Sequence, residues 1–241
     1  MAATTRDRIL EGRLSLRQPA SGHRVGLDAV LLANARRAAG HVVDLGAGVG
    51  SVGLIFATLN PEARIALVER EPDSLALARL NLAENGLDDR VTVIATDVFA
   101  GEAVRVAAGL GRETADLVLT NPPFAAEGGT RASPDDNRRR AHVMQGGDLD
   151  GWLRTAASCL RPGGHLVMIH RADALAPVLA ACGARFGALT LRFVHVGDTA
   201  PAVRLLLLAT KGSRAPLTIA APIIIGAAGP DLAQAYFPAG R

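Results

Sequence analysis

The chain has 241 residues, of which 49% are hydrophobic, and this is enough to bury one sizeable core. Its 26 basic and 23 acidic residues leave a formal net charge of +3, which permits an anionic partner without identifying one. Cys159 and Cys182 lie far apart, without a CxxC or flanking histidines, which argues against a zinc site or a disulfide framework. We therefore expect two buried thiols, no metal and a reducing compartment.

The sequence also carries no signal for a membrane. The N-terminal residues are charged, and no later stretch reaches the roughly 18 unbroken apolar residues of a membrane-spanning helix. Residues 219–229 are short and contain Pro222, so we interpret them as a strand or a tail packed on the core. These features predict a soluble cytoplasmic protein with no membrane partner.

The sequence predicts that strands and helices alternate along the chain. A short strand at residues 13–17 and a helix at residues 28–37, with Asp28 as an acidic N-cap, come first. From residue 41 onward, short β-branched or apolar runs alternate with segments of helical period. The predicted strands are residues 42–45, 64–69, 91–95, 116–120 and 165–170. The predicted helices are residues 51–59, 72–85, 102–110, 149–160 and 173–181. Such alternation predicts a doubly wound, mostly parallel α/β fold of five βα units.

The pattern changes after Gly183. Residues 189–196 and 202–210 are strand-like and flank a turn at residues 197–199, so we predict an antiparallel hairpin that closes the sheet edge. Residues 125–147 are the least regular stretch, and a loop of that length is usually functional or disordered. The predicted organisation is an N-terminal segment with a helix over residues 1–40, a main domain over 41–212, and a C-terminal tail over 213–241 that packs on it.

A glycine-rich turn follows the first strand of the main domain. The buried run at residues 42–45 leads into Gly46, Gly48 and Gly50 and then into a helix. Glycine lets the backbone approach a ligand closely, so we expect a ligand at the carboxyl end of this strand. Asp44 disfavours a pyrophosphate there and favours a sulfonium cofactor with a cationic amino group, which is S-adenosylmethionine. The candidate cofactor-binding residues of this segment are Asp44, Gly46, Ala47 and Gly48.

A dinucleotide is the alternative ligand. Gly48, Gly50 and Gly53 satisfy the GxGxxG spacing, and Glu69 follows at about the spacing of a ribose-binding acid. A single match of this kind is weak, and Asp44 counts against it. The cofactor that protects the protein against heat would distinguish an NAD-dependent oxidoreductase from an S-adenosylmethionine enzyme.

Acidic residues end the next two predicted strands. Glu69 can accept hydrogen bonds from both ribose hydroxyls, and Asp97 can accept one from the adenine amino group of the cofactor. Either residue alone could be a solvated acid or a helix cap, but together they line successive strand ends. Arg70 and Val98, which adjoin them, and Asn121, which follows the fourth predicted strand, are further candidate cofactor-binding residues.

The segment Asn121-Pro122-Pro123-Phe124 follows the fourth strand and is the most specific motif. An exocyclic adenine amine is a poor nucleophile because its lone pair is delocalised into the ring. Hydrogen bonds from its two N–H groups to the Asn121 side-chain oxygen and the Pro122 carbonyl would free that lone pair for attack on a methyl group. The prolines fix the backbone, and Phe124 offers a face for a planar base. These four residues are the candidate catalytic residues.

These residues resemble the class I S-adenosylmethionine-dependent methyltransferases over roughly residues 41–170. The resemblance is carried by Asp44-x-Gly46-x-Gly48, Glu69, Asp97 and Asn121-Pro122-Pro123-Phe124. The (Asn/Asp)-Pro-Pro-(aromatic) element is similar to that of the methyltransferases acting on amino groups of adenine, guanine or protein glutamine. The resemblance implies a Rossmann-like fold with S-adenosylmethionine as cofactor.

Two further segments resemble the tRNA(Val) adenine-N6 methyltransferase family. They are Gln18-Pro19 followed by GHRVGLDAVLLA at residues 22–33, and RLLLLATKG at residues 204–212. The resemblance implies adenine N6 in tRNA as the acceptor. It also implies that Arg24, Gly26 and Asp28 contact or cover the methionine end of the cofactor, although an N-cap role explains Asp28 equally well. The apolar tail from Leu217 departs from the family pattern.

Other functions stay open at this point. A glutamine side chain presents the same two N–H donors, and guanine N2 of ribosomal RNA is a further acceptor. An inactive methyltransferase-fold subunit that binds RNA or a partner belongs to another class, and the intact 121–124 motif speaks against it. The candidate RNA-binding residues after this motif are Arg131, Arg138, Arg139 and Arg140. Further candidates near the N-terminus are Arg6, Arg8, Arg13 and Arg17. A solvated arginine run explains the first cluster equally well, and His142 is either a substrate contact or a surface residue.

Overall fold

A ten-stranded sheet forms the centre of the protein in the computed structural model, which describes residues 3–20, 26–123, 148–226, 229–230 and 236–237. The first two strands, β1 (Thr4–Ile9) and β2 (Leu14–Pro19), form a separate antiparallel hairpin. The strands of the central sheet are β3 (Gly40–Leu45), β4 (Ala63–Glu69), β5 (Val91–Ala95), β6 (Ala115–Thr120), β7 (Leu160–Arg171), β8 (Phe186–Val196), β9 (Ala202–Lys211), β10 (Thr218–Ile219), β11 (Ile223–Gly226) and β12 (Gly229–Pro230).

The order of the strands is β12-β11-β8-β9-β7-β6-β3-β4-β5, with β10 pairing beside β8. Strands β3 to β7 run parallel to one another, and β9 runs antiparallel to both β7 and β8. The predicted five parallel βα units and the antiparallel hairpin are therefore confirmed. The predicted position of the hairpin at the sheet edge is wrong, because β10 and β11 pair with β8 on its outer side.

Helices cover both faces of the sheet. They are α1 (Leu27–Asn34), α2 (Ser51–Leu59), α3 (Pro72–Glu84), α4 (Glu102–Ala107), α5 (Asp148–Cys159) and α6 (Leu175–Cys182). One core joins β2 and helices α1 to α3 to the sheet, and includes Leu16, Leu32 and Phe56. A second core on the other face joins α5 and α6 to it. None of the helices in the described part of the chain is long and apolar enough to cross a membrane.

Helix α1 begins differently from the prediction. The expected N-cap, Asp28, lies inside the first turn, and Gly26 occupies the N-cap position without a side-chain capping bond. The Asp28 carboxylate instead accepts from Nε of Arg204 on β9, at 3.0 and 2.8 Å. Asp28 thus ties the first turn of α1 to the sheet through an ion pair and does not cap the helix.

The N-terminal hairpin packs on α3 through two asparagines. The predicted strand at residues 13–17 corresponds to β2, but its partner β1 was not predicted. Asn85 accepts from the Ser15 N–H at 2.9 Å and donates to the Ser15 carbonyl at 2.7 Å. Asn81 makes the same pair of bonds with the backbone of Arg17. The two side-chain amides thus replace a neighbouring strand along one edge of β2.

Both cysteines are free and buried, as predicted. Burial raises the pKa of the Cys159 and Cys182 thiols to about 11. They act as small core residues on the α5 and α6 face.

Candidate active site

The carboxyl ends of β3 and β6 form a topological switch point. The chain passes from β3 to β4 and β5 on one side, and then returns to β6 on the other side of β3. The loops after β3 and β6 therefore diverge and leave a crevice, which is where ligands bind in open α/β sheets. Leu45 pairs with Thr120 in register, so Gly46 and Asn121 leave the sheet side by side.

The loop after β3 needs its glycines for backbone conformation. Gly46, Gly48 and Gly50 have φ values of 78°, 56° and 86°, which is the left-handed region that favours glycine. The N–H groups of Gly46 and Ala47 both donate to the Val68 carbonyl, at 3.0 and 2.8 Å. These bonds hold the loop against the end of β4 and fix its path before α2 begins.

Asp44 lies beneath this loop rather than at its surface. Its side chain is 2% exposed, and Oδ2 accepts from the Gly53 N–H in the first turn of α2 at 2.8 Å. Burial raises the pKa of Asp44 to about 7, the Gly53 bond opposes the rise, and the charge of Glu69 adds to it. A cation above the loop would favour the ionised carboxylate.

Gly53, the last glycine of the GxGxxG match, has a packing role. A Cβ there would collide with Leu67 of β4, so its absence lets α2 approach the sheet. The third glycine of the GxGxxG spacing, which suggested a dinucleotide, is therefore explained by the packing of α2 on the sheet.

Glu69 ties the first two loops of the site together. Its Oε2 accepts from the Gly48 N–H at 2.8 Å, and its Oε1 accepts from the N–H groups of Arg70 and Glu71 at 2.7 and 2.9 Å. The carboxylate is only partly buried. Because Oε2 accepts only one of these bonds, it can still accept a hydrogen bond from a ribose hydroxyl.

Asp97 and Arg70 form an ion pair across the next two loops. Nη1 of Arg70 lies 2.9 Å from Oδ2 of Asp97, while Oδ1 accepts from the Phe99 N–H at 2.8 Å. The hydrogen bond to Asp97 raises the pKa of Arg70 further above its ordinary value. Val98 is buried beside them. The predicted residues Glu69, Arg70, Asp97 and Val98 therefore lie together at one edge of the sheet.

Asn121 follows β6 at the other side of the crevice. Its Oδ1 is buried and has no hydrogen-bond partner among the residues that the structure describes. Pro122 is buried and Pro123 is exposed. A buried acceptor without a donor costs free energy, so this oxygen is a candidate to accept a hydrogen bond from a bound ligand.

Several predicted residues lie outside the described part of the chain. They are Arg24, Phe124, Arg131, Arg138, Arg139, Arg140 and His142. Of the predicted methionine-end residues, Gly26 is the N-cap of α1, and Asp28 is engaged by Arg204 and only slightly exposed. No group of three or more metal-ligating side chains occurs in the described ranges.

Sequence reasoning missed two residues that support the site, Trp152 and Asn81, and assigned no role to the Thr120 hydroxyl. The indole of Trp152 on α5 donates to Oγ1 of Thr120 at 2.9 Å, and this hydroxyl donates to the Leu45 carbonyl at 2.8 Å. Nδ2 of Asn81 donates to the carbonyl of Val49 in the glycine loop at 2.9 Å. A single Trp or Asn in a helical pattern predicts a core or surface position, so no local signal distinguished them.

The arrangement fits S-adenosylmethionine. Gly48 has open space where a side chain would stand, and the partly exposed carboxylates of Glu69 and Asp97 can accept from hydroxyl and amino groups. Asp44 adds a negative charge below the loop when it is ionised. Oδ1 of Asn121 lies on the other side of the crevice from Glu69 and Asp97.

Comparisons with known proteins agree with this geometry. Residues 25–190 match the model of the methyltransferase small domain family. A tRNA1(Val) (adenine(37)-N6)-methyltransferase of Porphyromonas gingivalis is 31% identical over 158 residues, or 63% of this chain and 60% of that protein. A ribosomal protein uL3 glutamine methyltransferase of Bradyrhizobium diazoefficiens is 33% identical over 132 residues, covering 52% of this chain and 39% of that protein. The chain thus spans less than two thirds of the length of these curated relatives.

Solved structures extend the similarity to most of the chain. The crystal structure of a predicted O-methyltransferase from Agrobacterium tumefaciens has a TM-score of 0.70 and 34% identity, and covers 83% of this chain and 89% of that one. TYW2 of M. jannaschii in complex with AdoMet has a TM-score of 0.58 at 14% identity, covering 88% and 86%, which shows the fold alone. The predicted fold class and S-adenosylmethionine as its cofactor are confirmed, and the family match favours a methyltransferase over a dinucleotide-dependent oxidoreductase. The chain belongs to the methyltransferase small domain family.

Proposed function

We propose that this protein transfers the methyl group of S-adenosylmethionine to an exocyclic amino group, and that this group is adenine N6 in tRNA. The observation that carries the proposal is the Oδ1 atom of Asn121, a buried acceptor without a donor among the described residues. It lies next to the glycine loop because Leu45 and Thr120 pair in register. The methyl donor and the acceptor amine would therefore meet at the β3–β6 crevice.

Asn121 would act by accepting one N–H of the substrate amine. A second N–H bond to the carbonyl of Pro122 would draw the nitrogen towards a tetrahedral geometry and make its lone pair available. The methyl group then passes from sulfur to nitrogen in line, and the extra proton leaves to water. Holding the two reactants in line can remove about 7–11 kcal/mol of the barrier to such a transfer.

Glu69 and Asp97 would hold the adenosine part of the cofactor. Their carboxylates are already fixed by backbone N–H groups of Gly48, Arg70 and Phe99, at 2.8, 2.7 and 2.8 Å. Such fixed acceptors lose little freedom when a ligand binds, which favours affinity. The ionised form of Asp44 would add attraction for the cationic methionine end.

Adenine in tRNA is favoured over the other acceptors by two lines of support. The Porphyromonas gingivalis relative is named as a tRNA adenine-N6 enzyme, and the resemblance to that family extends to residues 22–33 and 204–212. The protein-glutamine relative matches a shorter part of this chain, 52% against 63%. The excess of basic residues is compatible with an RNA partner.

The test is transfer of label from tritiated S-adenosylmethionine into separate tRNA, ribosomal RNA and protein fractions. The labelled products are then digested to nucleosides and amino acids. We expect N6-methyladenosine from the tRNA fraction, and labelling about 100- to 1000-fold slower with the Asn121→Ala variant. Label in glutamine or in N2-methylguanosine would contradict the tRNA assignment and keep the amino-group chemistry. Label in none of the fractions, without thermal stabilisation by the cofactor, would contradict methyl transfer itself.

A further inference from the structure

Trp152 connects three parts of the candidate active site, although it belongs to none of the motifs. It lies on α5 and is almost fully buried. Its Nε1–H donates to Oγ1 of Thr120 at 2.9 Å, and the Thr120 hydroxyl donates to the carbonyl of Leu45 at 2.8 Å. A continuous hydrogen-bond chain therefore runs from the helix through the last residue of β6 to the last residue of β3.

The indole ring also supports the glycine loop directly. A Cβ added at Gly46 would lie only 2.6 Å from Cζ2 of Trp152, so the ring packs against the bare Cα of this glycine. Phe99 meets the same ring edge-on, with centroids 5.8 Å apart. Trp152 thus contacts the loop after β3 and the loop after β5, and binds the residue before Asn121.

We propose that Trp152 and Thr120 form a positioning pair that fixes the Asn121 turn relative to the glycine loop. This inference rests on the proposed methyl transfer from a cofactor above Gly46 to an amine held by Asn121. Neither side chain needs to touch a reactant. The pair sets the separation of the two reactants, because Thr120 is joined to the β3 end on one side and precedes Asn121 on the other.

The energetic reason is the sensitivity of group transfer to geometry. Reacting atoms must lie within about 3–3.5 Å of each other and in line, and a displacement of about 1 Å can lower the rate about 100-fold. The Thr120 hydroxyl uses its proton for Leu45 and its lone pair for Trp152, so both contacts depend on one atom. Removing either the Trp152 N–H or the Thr120 hydroxyl should therefore weaken the same connection between the ends of β3 and β6.

The test compares turnover and cofactor affinity in matched variants. Trp152→Phe keeps an aromatic ring and removes the N–H, Thr120→Val keeps the shape and removes the hydroxyl, and Thr120→Ser keeps the hydroxyl. The control is Thr210→Val, since Thr210 also hydrogen-bonds a ring nitrogen, that of His165, at 3.2 Å. His165 pairs with Leu117 and Thr210, away from the carboxyl edge of the sheet.

With tritiated cofactor and unfractionated bacterial tRNA, we expect Trp152→Phe and Thr120→Val each to lower kcat about 10- to 100-fold. The Trp152→Phe/Thr120→Val double variant should be no slower than the slower single variant, because both substitutions remove the same Trp152–Thr120 hydrogen bond. The kcat of Thr120→Ser should stay within about threefold of that of the wild type. The three single variants at Trp152 and Thr120 and the double variant should bind S-adenosylhomocysteine with affinities within about threefold of the wild type. Rates equal to those of Thr210→Val, or losses that add in the double variant, would overturn the proposal.

A second readout does not depend on the acceptor substrate. Trp152 is the single tryptophan of the chain, so tryptophan fluorescence reports the surroundings of this side chain alone. The emission of Thr120→Val should differ from that of the wild type before any ligand is added, whereas the emission of Thr210→Val should not. Equal emission in all three proteins would overturn the link between Trp152 and Thr120. A wild-type protein that labels no fraction, while these emission differences are present, would instead contradict the proposed function.

Discussion

The two sides of the β3–β6 crevice differ in how their polar groups are satisfied. On the cofactor side, Asp44 accepts from a backbone N–H in the first turn of α2, and Glu69 and Asp97 accept from backbone N–H groups of the loops. On the acceptor side, Oδ1 of Asn121 is buried without a described partner. The cofactor side is therefore organised before any ligand binds, whereas the acceptor side has a buried acceptor that receives no hydrogen bond from the described residues. Variants on the two sides should accordingly change different kinetic constants.

The largest effect is expected on the acceptor side. Asn121→Ala should lower kcat about 100- to 1000-fold, because one fixed hydrogen bond to the reacting group is lost. Cofactor affinity should stay within a few-fold, since the loops that hold the cofactor are unchanged. Asn121→Asp keeps an acceptor oxygen and should retain more activity than Asn121→Ala. Steady-state kinetics with a cofactor titration measures both constants, and a joint loss of turnover and affinity would show that the motif is misassigned.

A change on the cofactor side should give the opposite kinetic pattern. Glu69→Ala removes the acceptor for the Gly48 N–H and the expected acceptor for the ribose. Hydrogen bonds to a charged group contribute about 1.5–3 kcal/mol each, which corresponds to a loss of affinity of about 10- to 100-fold. Turnover at saturating cofactor should change much less. Calorimetric titration with S-adenosylhomocysteine measures the affinity, and an unchanged value would remove Glu69 from the cofactor site.

A smaller effect is expected where the N-terminal hairpin meets the glycine loop. Asn81→Asp removes the donor to the Val49 carbonyl, while Asn85→Asp alters the same kind of contact with β2 without reaching that loop. We expect about a 3- to 10-fold weaker cofactor affinity for Asn81→Asp, which is the value of one lost hydrogen bond. Asn85→Asp should lower the melting temperature but leave affinity unchanged. Equal affinities for the two variants would show that the loop does not depend on Asn81.

The smallest effect is a change in the pH dependence of stability. The pKa of Asp44 rises from its ordinary value of 3.8 to about 7 on folding, so the folded protein holds a proton that the unfolded chain releases. Stability from this group is present at low pH and declines as the pH rises through this window. Asp44→Asn keeps an acceptor for Gly53 and should raise Tm at pH 8 by roughly 5 °C relative to the wild type. Thermal unfolding at pH 5 and pH 8 measures this, and a parallel decline in both proteins would contradict it.

The parallel sheet was predictable because its strands are short apolar runs between segments of helical period. The hairpin strand β1 was not, since Thr4–Ile9 contains one apolar residue, which follows two threonines and three charged side chains. The expected cap of α1 was wrong because the sequence shows a local carboxylate, Asp28, and not its distant partner Arg204. The short strands β10 and β11 add to the sheet by pairing with β8, which no local pattern specifies.

The candidate site was predictable where its residues follow strand ends and missed where a contact is long-range. Glu69, Asp97 and Asn121 follow parallel strands, so topology alone brings them to one edge. Trp152 reaches the site from a helix 32 residues beyond Thr120. Asn81 reaches it by facing both β2 and the glycine loop. Such contacts depend on the packing of whole elements, which sequence patterns do not encode.

A crystal structure of the complex with S-adenosylhomocysteine tests the central claim most directly. We predict a ligand at the carboxyl ends of β3 to β5, with a ribose hydroxyl bonded to Oε2 of Glu69 and its sulfur facing the Asn121 side chain. The backbone of residues 46–50 should keep its present path, because its bonds to Val68 and Glu69 are already formed. A ligand at another edge of the sheet, or one that rebuilds this loop, would contradict the account.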